Sequence, residues 1–172
     1  MSLLTRLLGR PDPTQEQVRP LWHRVVEIAR EPQWYAKGGI ADTVPGRFDA
    51  IALVMALVML RMERSETLSA PSGRLTELFV ADMDGQLRQT GLGDLVVGKH
   101  VGKLMGALGG RIDAFRAGLA ENSDSVLIAA IERNVTFGET ADPAAVAAEM
   151  RVLSAALAGL SDTDLLAGKI AR

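Results

Sequence analysis

Apolar residues recur at helical spacing along almost the whole chain, and nowhere do they alternate with period two over a useful length. Val18, Leu21, Trp22, Val25, Val26 and Ala29 share one face of a first helix, opened by the capping box Thr14-x-x-Gln17 and stopped by Pro32. A short helix through Gln33–Lys37 follows, ended by Gly38-Gly39. A loop to Pro45 leads into a long helix predicted over Arg47–Glu66, and Ser65–Gly73 reads as a linker. Leu75, Leu78, Phe79, Met83 and Leu87 form the stripe of the next helix, which runs to Thr90 with Gly91 as its C-cap. Val97, Val101, Leu104, Leu108, Ile112, Phe115 and Leu119 mark another. Ser123 or Asp124 caps a helix to Asn134, Asp142-Pro143 opens one to Gly159, and Ser161-x-x-Asp164 starts a short last turn. The pattern predicts an all-α orthogonal bundle of about six to eight helices. Residues 1–172 are expected to form one domain, with 1–12 as a loosely docked terminal segment.

Composition narrows the function more than the fold. The chain has no cysteine, so a disulfide framework, a thiol nucleophile and a thiolate metal site are excluded. A net charge of −2 gives no bulk field toward nucleic acid. The charge is uneven: Gln86–Ala120 carries five basic residues against two acids, and Glu121–Asp164 eight acids against two arginines. Such blocks are solvated faces or partner surfaces. Ala50–Leu60 is eleven consecutive apolar residues. As a helix it is about 16 Å long, half a bilayer core, and it reads as a buried central helix. Met1–Arg10 lacks the long apolar run and cleavage site of a secretory signal. Its leucines at 3, 4, 7 and 8, with Arg6 and Arg10, suit docking on the domain or on a membrane surface.

The polar residues of Phe79–Met105 are the ones a plain helical hairpin does not require. Asp82 falls at the edge of the Leu75–Leu87 stripe. A carboxylate there is expected to be largely buried and to need a partner. The turn Gly91–Asp94 offers N–H groups, and Arg47, Lys99 and Lys103 offer charge. Asp82 and Asp84 are about 200° apart on a helix and cannot chelate one ion together. Asp84 and Arg88, four apart, form a surface pair. Gly93–Lys99 satisfies most of a phosphate-loop pattern, but His100 stands where the Mg²⁺-binding hydroxyl belongs and no strand precedes the loop. No nucleotide is expected. Gly98, Gly102, Gly106 and Gly110 line one helix face, read first as close intramolecular packing and second as a groove for a partner helix. His23 and His100 have no motif partners, so no catalytic set and no metal site is assembled.

Two stretches carry a resemblance. Asp82-Met83-Asp84…Leu87-Arg88…Gly91…Gly93-Asp94…Val97-Gly98-Lys99…Val101…Lys103…Met105 resembles the signature of the ubiquinol–cytochrome c chaperone family. Asp42-Thr43-Val44-Pro45-Gly46-Arg47-Phe48-Asp49 is similar to that family's other marked stretch. By these motifs the resemblance covers Trp22 to Phe115. It implies a non-catalytic assembly factor, without cofactor or metal, that holds newly made cytochrome b before it joins the reductase. It also implies a client surface drawn from Arg47, Asp49, Asp82, Asp84, Arg88, Asp94, Gly98, Lys99 and Lys103. The expected place is the bacterial cytoplasm, peripheral on the cytoplasmic face of the inner membrane, with a ribosome or membrane surface as a further partner and no readout of nucleic acid. Two other classes stand beside it: a small-ligand or lipid-binding helical module with Ala50–Leu60 lining a pocket, and an enzyme using Asp82 and Lys99 in a closed polar cleft.

Overall fold

The structure, a computed structural model, describes residues 13–89 and 94–172, without the side chains of 13–15, 86–89, 94–101, 103 and 104. Seven α-helices run through them: α1 Pro13–Ala29, α2 Val44–Met62, α3 Ser69–Gln89, α4 Asp94–Ala120, α5 Ser125–Asn134, α6 Pro143–Ala158 and α7 Asp162–Leu166. No strand occurs among the described residues; one isolated antiparallel bridge joins Ile40 to Phe137. The fold is all-α.

Helix α2 is the axis. Thr43 Oγ1 accepts from the Gly46 N–H at 3.3 Å and Pro45 sits in the first turn, where its missing N–H costs nothing. The helix therefore opens at Val44, three residues before the position that periodicity alone suggests. It ends at Met62 rather than Glu66, because Ser65 turns into a 3₁₀ turn at Glu66–Leu68. Ala50–Val58 is buried all round, packed by α1, α3, α4 and α6. Met59 and Leu60 are only half-buried, so the apolar run outlasts its cover by two residues.

Around that axis each neighbour buries one stripe. Helix α1 contributes Val18, Leu21, Trp22, Val25 and Ile28, and α3 contributes Leu75, Leu78, Phe79 and Met83. The Trp22 and Phe79 rings meet edge to face at 6.1 Å. Ser65–Gly73 is not a linker: after the 3₁₀ turn, α3 begins at Ser69 with Pro71 in its first turn. Gln33–Lys37 is a single π turn, closed by Gly38 N–H to Gln33 O at 3.0 Å. It drives Trp34 fully inside, where its indole N–H donates to Ile28 O at 2.7 Å. Asp142 and Ser161 cap α6 and α7 as the spacing predicts. Asp124 does not cap α5, since its carboxylate is taken by Arg151 at 2.6 Å; Ser123 Oγ receives the Ser125 N–H instead.

The segment after the π turn lies against the α5–α6 loop. Ala41 N–H donates to Thr136 O and Gly138 N–H to Gly39 O, each at 2.9 Å. Gly39 has φ +70°, and a Cβ there would lie 1.9 Å from Thr140 O, so both conformation and space demand glycine. This pairing fixes the loop that carries Asp42 to Asp49.

Candidate functional site

The stretch Asp42–Asp49 divides between two duties. Its glycine and its last acid face inward. A Cβ on Gly46 would meet Ala41 O at 2.0 Å, so only glycine lets the α2 first turn close on the preceding loop. Asp49 is 7% exposed and paired with Arg111 Nη2 of α4. Its other oxygen, Oδ2, accepts from Thr136 N–H at 2.9 Å and Thr136 Oγ1 at 2.7 Å. Arg111 Nη2 also donates to Asn134 O at 2.8 Å, and the guanidinium carbon stands 5.5 Å from the Phe48 ring centre. Asp49 thus ties α2 to α4 and to the end of α5. It is a buried core ion pair and not part of the exposed surface that the motif alone implies. In the sequence Arg111 counts only among the five basic residues of Gln86–Ala120, although a sharper signal is there: it lies on the Leu108–Phe115 stripe, where a cation needs an acid.

The other half of the stretch faces a cleft of about 760 Å³. Arg30, Tyr35, Asp42, Val44, Arg47, Ile51 and Asp82 line it. Residues from both marked stretches therefore meet here, Asp42, Val44 and Arg47 from the first and Asp82 from the second. Val44 is 70% exposed, an apolar side chain presented to water at the cleft rim. Arg47 Nε donates to Asp42 Oδ1 at 2.6 Å, which lowers the Asp42 pKa and raises that of Arg47. Tyr35 OH donates to Ala29 O at 2.8 Å. Burial, then the charge of Asp42, pushes the Tyr35 phenol up, so it stays a neutral donor.

Asp82 is exposed, contrary to the expectation that it is buried, and it bonds neither Arg47 nor any other described residue. Its azimuth on α3 is the apolar one, about 60° from Phe79. Its level is not. Helix α1 ends at Ala29, the cleft opens beyond that end, and the carboxylate looks into the cleft instead of into a neighbouring helix. Lys99 and Lys103 side chains, and the turn before Asp94, lie outside the described residues.

Residues 36–171 match the profile of the ubiquinol-cytochrome C chaperone family. The chain belongs to that family. The match reaches well past Phe115, where the resemblance read from the motifs ends, and so takes in α5, α6 and α7. Among solved structures, the crystal structure of the Cbp3 homolog from Brucella abortus is similar over 98% of this chain and 95% of its own, at 30% identity and a TM-score of 0.79. None of the curated protein sequences compared with the chain matches it.

The remaining motif residues of the family signature are more scattered. Asp84 is half-buried beside a shallow apolar depression of about 480 Å³, with Val80, Ala81 and Met105. Asp94 opens α4 and Gly98 continues it, but the side chains of Arg88, Asp94, Lys99 and Lys103 lie outside the described residues, as does the Asp84–Arg88 pair. A Cβ on Gly102, Gly106 or Gly110 would meet nothing within 4 Å among the described residues. Among the described residues, then, nothing packs closely on these three glycines, unlike the first reading of the row; Gly98 lies outside the described side chains. His23 is exposed; His100 is not described. Among the described residues no set of His, Asp or Glu converges on a metal position, and no helix is long and apolar enough to cross a membrane.

A second cleft, about 560 Å³, lies where α2, α4 and α6 all end. Three helix C-termini place partial negative charge together there, and arginines answer it. Arg61 donates to Leu157 O at 3.1 Å and Leu160 O at 2.6 Å, and Arg151 to Glu121 O at 2.9 Å. Asp162 completes the network. It accepts from Ser65 at 2.5 Å, Thr67 at 2.7 Å and Arg61 at 2.9 Å, and its pKa falls to about 2 through those bonds. This arginine cluster has a structural use in helix capping.

Proposed function

We propose that the chain is a non-catalytic assembly chaperone that holds newly made cytochrome b for the ubiquinol–cytochrome c reductase, and that the client lies in the cleft between the α1–α2 loop and α3. The observation that carries this reading is the meeting of both family stretches at one opening, with Val44 held out at its rim. An apolar side chain kept 70% exposed on a capped helix N-terminus gives binding a hydrophobic anchor at low ordering cost. The surrounding charges discriminate among partners more than they add affinity. A single exposed anchor gives fast release, which suits a factor that must hand its client on.

On this reading the client surface continues along α4 past Lys99 and Lys103, and the chain works at the cytoplasmic face of the inner membrane, beside the ribosome or the membrane surface. No step of bond-making is involved, and no cofactor is used. The lipid-module reading asks for a cavity beside Ala50–Leu60; the two larger clefts touch that helix only towards its ends, at Val44–Ile51 and Leu57–Arg64.

The test is recovery of cytochrome b with the tagged chain from solubilised membranes. Val44→Asp should lose it while folding normally. Undiminished recovery would remove the cleft from the client path.

A further inference from the structure

Within that reading of the cleft, the chemistry of its walls specifies what kind of segment it takes. The ion pair Arg47–Asp42 is closed on itself at 2.6 Å. Two other charges in the lining are not. Arg30, just past the end of α1, and Asp82, on α3, have no ion-pair partner among the described residues. Both are exposed, of opposite sign, and they stand on different elements around the same opening. Between them the lining is Val44 and Ile51, with the neutral Tyr35 hydroxyl turned to Ala29.

A uniformly acidic or uniformly basic segment satisfies one of these open charges and opposes the other. An all-apolar segment desolvates both without replacing their water, which weakens its binding. A segment with an apolar side chain flanked by one acid and one base satisfies both and covers Val44. We infer that this cleft recognises a polypeptide segment of mixed charge around an apolar anchor, its carboxylate on Arg30 and its cation on Asp82. In a membrane protein that pattern belongs to the polar connections between spans, since charges are excluded from the spans themselves.

The inference rests on the cleft being the client site, and the experiment separates the two. Three short blocked peptides share one leucine anchor; one carries a Glu and a Lys about it, one two Glu, one two Lys. Binding to the full chain is read by fluorescence anisotropy at low salt. Wild type should hold the mixed peptide about fivefold more tightly than either other, the size of one partly solvated ion pair. Arg30→Glu should move the preference to the two-Lys peptide, and Asp82→Arg to the two-Glu peptide. Unchanged melting temperatures confirm folding. One ranking shared by all three proteins, or no binding of any peptide, overturns the inference. Loss of cytochrome b on Val44→Asp alongside such a result leaves the cleft as client site and removes only the charge rule. Cytochrome b recovered with every variant removes both.

Discussion

Arg111 reaches across 62 positions of sequence to Asp49, and the same Nη2 also holds Asn134 O at 2.8 Å. The side chains are 11% and 9% exposed. One guanidinium thus fastens the first marked stretch of the family to α4 and to the end of α5. The outward half of that stretch is as well placed as this inward anchor allows.

Breaking that pair leaves an uncompensated charge in the core. Arg111→Ala or Asp49→Ala should cost about 3–5 kcal/mol, measured by denaturant unfolding. Asp49→Ala also strands the Thr136 donors. The double mutant should be less destabilised than the sum of the two. Additive losses would mean that the groups act separately.

Asp82→Ala should behave in the opposite way. The carboxylate is exposed and holds no described partner, so the melting temperature should stay within a degree or two of wild type. Cytochrome b recovery should fall. A large loss of stability would return Asp82 to the core network.

Asp162 sets an acid-side dependence. Its folded pKa, about 2, is below the ordinary 3.8. A depressed carboxylate stabilises the fold above its unfolded pKa, and that contribution is lost as pH falls through the folded one. Between pH 4 and 2, wild type should therefore lose melting temperature faster than Asp162→Asn. Parallel curves would contradict the Ser65, Thr67 and Arg61 bonds as the cause.

The helix count, the buried centre of α2 and the caps at Asp142 and Ser161 were legible in the sequence, because periodicity and side-chain capping are local. Asp82 shows where that logic stops. Its angular position was right, but its burial depends on where α1 ends, and no pattern within α3 records that. The same holds for Asp49. Motif membership marks it, while only the packing of α4 shows that it is buried against Arg111. Spacing puts the glycine row on one face of α4 but leaves open what stands opposite it, packing or a partner helix.

Lys99→Glu with Lys103→Glu tests how far the client surface extends. The two positions lie one turn apart on α4. If the face continues there, the variant should fold normally and recover less cytochrome b. Unchanged recovery would confine the surface to the cleft.

The phosphate-loop likeness of Gly93–Lys99 should have no function. Titration calorimetry with ATP and Mg²⁺ should give no saturable heat, since His100 supplies no hydroxyl for the metal. Saturable micromolar binding would overturn this.

The most direct test of the cleft is contact. A photoreactive amino acid placed at Val44 should cross-link to cytochrome b during its synthesis. The same group at Val152, 58% exposed on α6 and outside the cleft, should not. Equal yields from both positions, or cross-links from Val152 alone, would contradict the account.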